Sequence, residues 1–349
     1  MMTQQPLEHV VLSGADPAAA LRVNRERRFA LGELERRVGS AHLLRRLRLQ
    51  RELAARFRGK GLSRFHPENT ELLPTLLRPV LTSFGLLGRG ERNAARLEVV
   101  KHDALVDDLP GLFEGFRILQ LSDVHIDGVP DMAERLRAAV QGLRFDLCVL
   151  TGDFRFRTHG DHRPALQGMS RLAESLRCSH GVLGILGNHD PIEMVPGLES
   201  AGIRMLLNEA AVIRRGAAEI HVVGLDDTHF YRTDDLPKAM FGIPPHAVKL
   251  LLAHSPEIIP EAAAAGVQYY LCGHTHAGQI CLPGGIPVFT RSRGGRAYAA
   301  GAWRYDRMGG YTSRGAGTSG LNVRYWCPPE ITVHRLHRST AAGIGTGRA

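Results

Sequence analysis

Five short segments of this chain put acid, amide or imidazole side chains directly after an apolar run. Phe116–Leu121 leads into Ser122-Asp123-Val124-His125, Leu147–Leu150 into Thr151-Gly152-Asp153, and Val182–Leu186 into Gly187-Asn188-His189-Asp190. Leu250–Leu252 leads into Ala253-His254-Ser255, and Tyr269–Leu271 into Cys272-Gly273-His274-Thr275-His276. Asp123, His125, Asp153, Asn188, His254, His274 and His276 together supply seven oxygen and nitrogen donors. Mixed donors of this kind suit divalent cations such as manganese, iron or zinc. One shared carboxylate completes two sites of four protein ligands each, with positions open for water and substrate. The Asp-x-His and His-x-His spacings set alternate side chains on one side of an extended segment. Gly152, Gly187 and Gly273 let the backbone turn sharply beside these donors. A lone Asp-x-His or Gly-Asp is common; five such segments in series, each after an apolar run, point to one site.

The elements that must position these donors can be read from the pattern. The runs Phe116–Leu121, Leu147–Thr151, Val182–Leu186, Ile220–Gly224, Leu250–Ala253, Tyr269–Cys272, Val288–Thr290 and Ile331–Leu336 read as strands. Met132–Gly142, Arg163–Ser175, Ile192–Ala201 and Glu257–Ala265 read as helices. Alternating strand and helix predict an α/β fold, with function in loops at the carboxyl ends of strands. Residues 291–320, rich in Gly, Arg and Tyr, read as a long surface loop, and 338–349 as a disordered tail.

The first 96 residues read as a basic, mostly helical extension before a domain spanning 97–337. Leu31, Leu34, Val38, Ala41, Leu44 and Leu47 recur at helical spacing over 30–58, between arginines, and Gly59-Lys60-Gly61 ends the pattern. The apolar segment Leu72–Leu87 contains Pro74 and Pro79, which predicts two short helices or a helix and a turn. The extension has two readings. It docks on the domain through its leucine face, or it lies on an anionic membrane. In the second, Leu76, Leu77, Leu81 and Phe84 enter the interface and Arg45, Arg46 and Arg48 meet phosphates.

Composition narrows the classes. The net charge of +9 hides an acidic centre: residues 1–100 carry +8, 101–300 carry −4 and 301–349 carry +5. Five cysteines without CxxC spacing argue against a disulfide framework or a zinc ribbon. No apolar leader and no run of about 18 uncharged apolar residues is visible, so the expected location is cytoplasmic, with contact on the inner face of the cytoplasmic membrane as the alternative. The basic ends lack an aromatic-interleaved stretch or a helix-turn-helix pattern, so no nucleic-acid partner is expected. No protein partner is expected either.

The series Asp123-x-His125, Gly152-Asp153, Gly187-Asn188-His189-Asp190, His254 and Gly273-His274-x-His276 resembles the calcineurin-like metallophosphoesterase superfamily across roughly residues 97–337. The resemblance implies a four-layer sandwich of two β-sheets flanked by helices. It implies one metal on Asp123, His125 and His276, another on Asn188, His254 and His274, and Asp153 bridging them. Two such cations lie about 3.5–4 Å apart and lower the pKa of a shared water, so that hydroxide attacks phosphorus in line. His189 stands outside the metal count; in the family the matching histidine lies beside the leaving group, which implies a general acid. Asp190 either orients His189 or caps the helix starting near Pro191.

Finer features select a branch. Gly152-Asp153-Phe154-Arg155-Phe156-Arg157 lacks the signature of protein serine/threonine phosphatases. Phe156 stands where purple acid phosphatases place a metal-binding tyrosine. Gly273-His274-Thr275-His276-Ala277-Gly278-Gln279-Ile280, Leu282-Pro283, Thr318-Ser319-Gly320 and Pro328-Pro329-Glu330-Ile331 resemble the bacterial YaeI/YkuE-like phosphodiesterase branch, itself similar to UDP-2,3-diacylglucosamine pyrophosphatases. That resemblance implies a phosphodiesterase or pyrophosphatase acting on a lipid- or nucleotide-linked phosphate. The alternatives are a general phosphomonoesterase or nucleotide phosphodiesterase without a lipid role, and a non-catalytic binding module on the same fold. Arg291, Arg293, Arg296, Arg304 and Arg314 either grip phosphate or form a solvated loop, with Arg293 and Arg296 the candidate substrate-binding pair. Tyr298, Trp303 and Tyr305 either line a pocket or pack.

Overall fold

A computed structural model describes residues 29–57, 72–288 and 295–339. By its contacts the chain divides into two compact units, Met1–Leu43 and Leu44–Ala349. The helix expected over 30–58 is two helices. Residues 29–38 form α1, Gly39 takes a left-handed φ of 90°, and α2 runs Ser40–Phe57. The break resets the buried face: Leu43, Arg46 and Leu53 are buried on α2, whereas Leu44 is 67% exposed. The Gly59-Lys60-Gly61 stop lies outside the described residues.

The next segment is a helix and a turn, as one of the two expected forms had it, but the turn is not made by the prolines. Helix α3 (Leu72–Ser83) carries Pro79 inside and Pro74 in its first turn, where a missing N–H costs no helical bond. Gly85, at φ 66°, makes the turn, and α4 (Leu87–Ala94) follows.

Two six-stranded sheets form the centre. Apolar, β-branched runs make β1 (Glu98–Val106), β2 (Arg117–Leu121), β3 (Leu147–Leu150), β4 (Val182–Gly184) and β5 (Ile203–Met205). Helices α5 (Met132–Val140), α6 (Arg163–Ala173) and α7 (Val195–Ser200) connect them. The first sheet has the order β1-β14-β2-β3-β4-β5. Its β2, β3 and β4 are parallel, while β14 (Glu330–Arg338) runs antiparallel to β2 and parallel to β1.

The second sheet has the order β12-β13-β9-β8-β7-β6. It contains β6 (Glu209–Arg215), β7 (Ala218–Gly224), β8 (Lys249–Leu252) and β9 (Tyr269–Cys272), with β7, β8 and β9 parallel. Short helices α8 (Leu236–Ala239) and α9 (Ile259–Ala264) lie between these strands in the chain. A two-stranded ribbon, β10 (Cys281–Leu282) with β11 (Ile286–Pro287), stands apart and ends directly before the expected strand Val288–Thr290; Val288 is not in a strand, and 289–290 lie outside the described residues.

Of the long loop expected over 291–320, residues 291–294 lie outside the described residues and 301–312 form a hairpin of β12 (Gly301–Tyr305) and β13 (Met308–Thr312), with β13 parallel to β9. Its glycines are the reason it looked like a loop. A Cβ at Gly310 would collide with the Trp303 ring, and one at Gly309 would press on Tyr269 at 3.0 Å. Tyr298, Trp303 and Tyr305 pack against the cluster of Leu251, Ile259 and Tyr270. β1, β5 and β6 were also not expected. Strand β14 extends to Arg338, and 340–349 lie outside the described residues.

The strand period of two sorts the core. Ile118, Val149 and Leu183 face Val222, Leu250 and Leu271 between the sheets. On the other side of the second sheet, Val223, Leu251 and Tyr270 pack with Leu236, Ile259 and Ala262 of α8 and α9. Helices α5 and α6 bury Leu136, Met169 and Leu172. The layers are therefore helix, sheet, sheet, helix. Polar links also cross between the sheets: Gln120 Nε2 donates to Thr151 Oγ1 and to the Cys272 carbonyl, its Oε1 lies 2.9 Å from His334 Nε2, His102 Nε2 lies 3.0 Å from the Tyr269 hydroxyl, and the Tyr311 hydroxyl donates to Glu330. All five cysteines are free thiols.

Candidate active site

Parallel strands deliver their carboxyl ends to one edge, and the two sheets bring two such edges together. β2 ends at Asp123 and His125, β3 at Asp153, β4 at Asn188 and His189, β8 at His254, and β9 at His274 and His276. Asp123, His125, Asp153, His274 and His276 all adopt positive φ, between 39° and 70°. Left-handed backbone is uncommon outside glycine, and its concentration on donor residues marks strain stored at a site. Of the three glycines, only Gly152 turns left-handed. Gly187 and Gly273 serve close approach instead: a Cβ on Gly187 would strike the Asp153 carboxylate, and one on Gly273 would strike Ser122 and Asp123.

The donors gather into two groups joined by Asp153. In one, His276 Nε2 lies 3.3 Å from both His125 Nε2 and Asp123 Oδ1. In the other, Asn188 Oδ1 lies 3.0 Å from both His254 Nε2 and His274 Nδ1, and those two nitrogens are 3.3 Å apart. Asp153 Oδ2 is 3.8 Å from His125 Nε2 and 3.3 Å from His254 Nε2, between the groups. Asp123, His125 and His276 converge closely enough to share one ion, as do Asp153, His254 and His274, and as do His125, Asp153 and His189.

The surroundings aim the imidazoles. His125 Nδ1 is 2.7 Å from the Arg155 carbonyl and His254 Nδ1 is 2.8 Å from the Thr151 carbonyl. A carbonyl only accepts, so each Nδ1 carries the proton and each Nε2 presents a lone pair. Arg324 Nη2 lies 3.2 Å from His276 Nδ1, but the carbonyls of Gly317 and Arg314 at 2.6 and 2.8 Å claim its two protons. Imidazole nitrogens 3.3 Å apart, beside two buried carboxylates, form a cradle for cations. The residues present fit two divalent ions.

Electrostatics follow burial. Desolvation pushes the Asp123 carboxyl up. Burial also acts to raise Asp153, but the surrounding His189, His254 and His125 outweigh it and hold that carboxyl well below the usual range. Burial lowers His189 to about 3 despite the nearby Asp153 charge. His189 Nδ1 donates to the Phe156 carbonyl at 2.7 Å, so Nε2, 3.8 Å from Asp153 Oδ2, faces the site.

Asp190 takes neither of its expected roles. Its carboxylate accepts the N–H groups of Asp153, Phe154 and Gly187 at 2.8–2.9 Å, tying the β3 and β4 loops together. The Phe156 carbonyl, not Asp190, orients His189, and the turn at Pro191 has no side-chain cap.

The arginines sort differently from expectation. Arg314 pairs with Glu330 and Glu98, and Arg304 with Asp107, so both are engaged within the fold. Arg296 is exposed on a single 3₁₀ turn, Arg296–Tyr298. Arg291 and Arg293 lie outside the described residues. His229 was missed: its ring lies 4.1 Å from that of His274, and its Nδ1 is 2.6 Å from Glu257. The signal was present, because Asp226-Asp227-Thr228-His229 follows β7 at the same sheet edge.

Residues 116–278 match the family model for calcineurin-like phosphoesterases. This chain carries a calcineurin-like metallophosphoesterase domain. Its family consists of hydrolases that use divalent metals. The chain is 27% identical over 267 residues to the metallophosphoesterase YkoQ of Bacillus subtilis, covering 74% of this chain and 97% of that one. It is 29% identical over 237 residues to the phosphodiesterase YaeI of Escherichia coli, covering 63% and 82%. It is 25% identical over 281 residues to LpxG of Chlamydia muridarum, a UDP-2,3-diacylglucosamine pyrophosphatase, covering 63% and 83%. Among the described residues of this domain and its extension, no helix is long and apolar enough to cross a membrane.

Proposed function

We propose that this metallophosphoesterase hydrolyses a phosphodiester or pyrophosphate bond in a lipid- or nucleotide-linked phosphate. The observation that carries this reading is the placement of Asp153 Oδ2 within 3.8 Å of a nitrogen from each of the two donor groups. Asp123, His125 and His276 hold one cation, Asn188, His254 and His274 hold the other, and Asp153 serves both. Manganese, iron and zinc all suit this donor set. When bound, two such cations supply Lewis acidity and a water ionised near neutral pH.

The chain's own residues do the rest. Carbonyls of Arg155 and Thr151 fix His125 and His254, so the ligand nitrogens need no reorganisation. His189 presents Nε2 at the mouth and passes a proton to the leaving oxygen. Burial alone disfavours that proton, and the negative charge of a phosphoester beside Nε2 favours it. Arg296 contacts the substrate phosphate; Arg293, the other member of the expected pair, lies outside the described residues. The catalytic domain spans 97–337.

The name printed for LpxG supports a diphosphate joined to a lipid, and the name printed for YaeI supports a diester. A lipid-linked substrate calls for a membrane contact. Phe84 and Val80 on and after α3 are exposed and suit one, whereas Arg46 is buried and cannot meet phosphates there. Metal-stripped protein, reloaded with manganese, is to be assayed on bis(p-nitrophenyl) phosphate and UDP-2,3-diacylglucosamine side by side. Metal-dependent preference for the lipid nucleotide supports the reading; activity on the small diester alone removes the lipid. Failure to co-sediment with anionic vesicles at low salt removes the membrane contact.

A further inference from the structure

Among the described side chains of α2, Arg46 is the one cation that is buried completely. Its Nη2 donates to the Asp190 carbonyl at 3.0 Å and lies 3.5 Å from Asp226 Oδ1. The guanidinium carbon sits 3.5 Å above the centre of the Tyr231 ring. Among the described residues, its Nε and Nη1 have no hydrogen-bond partner. A buried guanidinium with two unsatisfied nitrogens is costly, and an apolar side chain of the same size would serve packing better. The polar contacts that Arg46 does make, with the Asp226 carboxylate and at shorter range with the Asp190 carbonyl, are therefore what it is there for.

The carbonyl contact falls on a turn that matters. Asp190 already ties the β3 and β4 loops through its carboxylate. Its own carbonyl is held from outside the turn by Arg46. One helical turn further along α2, Gln50 Oε1 accepts the N–H of Ile192 at 2.9 Å and its Nε2 donates to Glu193 at 2.7 Å. Asn188 and His189 lie in the same turn, immediately before Asp190.

We infer that Arg46 is a positioning residue of the active site, and that α2 is a working part of the catalytic unit rather than a leader to it. By holding the Asp190 carbonyl it fixes the turn that presents Asn188 and His189. The inference rests on the hydrolytic reading above, and it extends the catalytic unit N-terminal to residue 97.

The test uses the full chain, manganese-loaded, with bis(p-nitrophenyl) phosphate. Arg46→Met should lower kcat by about 10²-fold, the scale of a misplaced active-site turn, while KM stays within about threefold of wild type. Arg46→Lys keeps a donor within reach of the Asp190 carbonyl and should recover most of the loss. Wild-type kcat in Arg46→Met overturns the inference, as do equal losses in Met and Lys variants, which would mark packing alone. Metal content and circular dichroism are read on each variant. If Arg46→Met does not fold, Gln50→Ala, which frees only the Ile192 end of the turn, should lower kcat with KM held; no change there overturns the inference. A wild-type chain inactive on every phosphoester tried would instead sink the hydrolytic reading and leave the geometry of Arg46 standing.

Discussion

The sheet edge and the arginine-rich segments were both expected to meet phosphate, and they behave in opposite ways. At the edge, seven residues picked by type and spacing converge in two groups with contacts of 3.0–3.3 Å, and Asp153 reaches across to His125 at 3.8 Å. In the arginine segments, Arg46 turns inward, Arg45 donates to the Arg232 carbonyl, Arg48 pairs with Glu52, and Arg304 and Arg314 pair with acids of the fold. The difference is reach. A short Asp, Asn or His at a strand end goes where the strand goes. A long arginine on a helix or hairpin chooses among every acceptor within about 7 Å, and its position in the chain does not decide which.

The largest effect that would sharpen this contrast is at the edge. Asp153→Asn should lower kcat by roughly 10³-fold or more and reduce bound metal below two per chain, with an unchanged circular dichroism spectrum. Turnover at the wild-type level would break the bridging assignment. Next, His189→Ala should slow esters with poor leaving groups by about 10²–10⁴-fold and p-nitrophenyl esters far less. Equal losses for both contradict the general acid.

The arginine side is tested by stability rather than rate. Glu330 is almost fully buried, so Arg314→Gln strands its charge and should cost about 3 kcal/mol, seen as a lower denaturant midpoint. Arg296→Gln, on an exposed turn, should leave the midpoint alone and raise KM for a diphosphate substrate. A drop in midpoint with no change in KM would place Arg296 with the structural arginines.

A smaller effect concerns a polar link between the sheets. Burial, with His102 adding to it, holds His334 well below its ordinary value of 6.5, so the folded chain keeps it neutral. The unfolded chain binds a proton there below that pH and the native chain does not. Stability from this group is therefore complete above pH 6.5 and declines as the pH falls, by at most about 1.4 kcal/mol per unit. Urea midpoints at pH 7.5, 6.5 and 5.5 should fall less steeply in His334→Gln; parallel slopes would remove His334 as the cause.

Much of the fold was legible because buried parallel strands must be apolar and short, and Tyr269–Cys272 was read to the residue. β13 was not, because Gly309 and Gly310 look like a loop until the Tyr269 and Trp303 rings that require them are in place. α2 was misread for a related reason. The leucine spacing ignored the left-handed Gly39, which turned Arg46 inward in place of Leu44.

The sequence alone picked out the side chains that meet at the sheet edge, since residue type and its place after an apolar run suffice when the backbone carries short side chains to a common edge. Tertiary structure decided the rest. It chose Asp190 as a tie between two loops, brought His229 beside His274, and committed Arg45, Arg46 and Arg304 to partners far away in the chain. Those choices depend on which backbone groups and charges lie within reach after folding, and pattern along a chain does not contain distances across it.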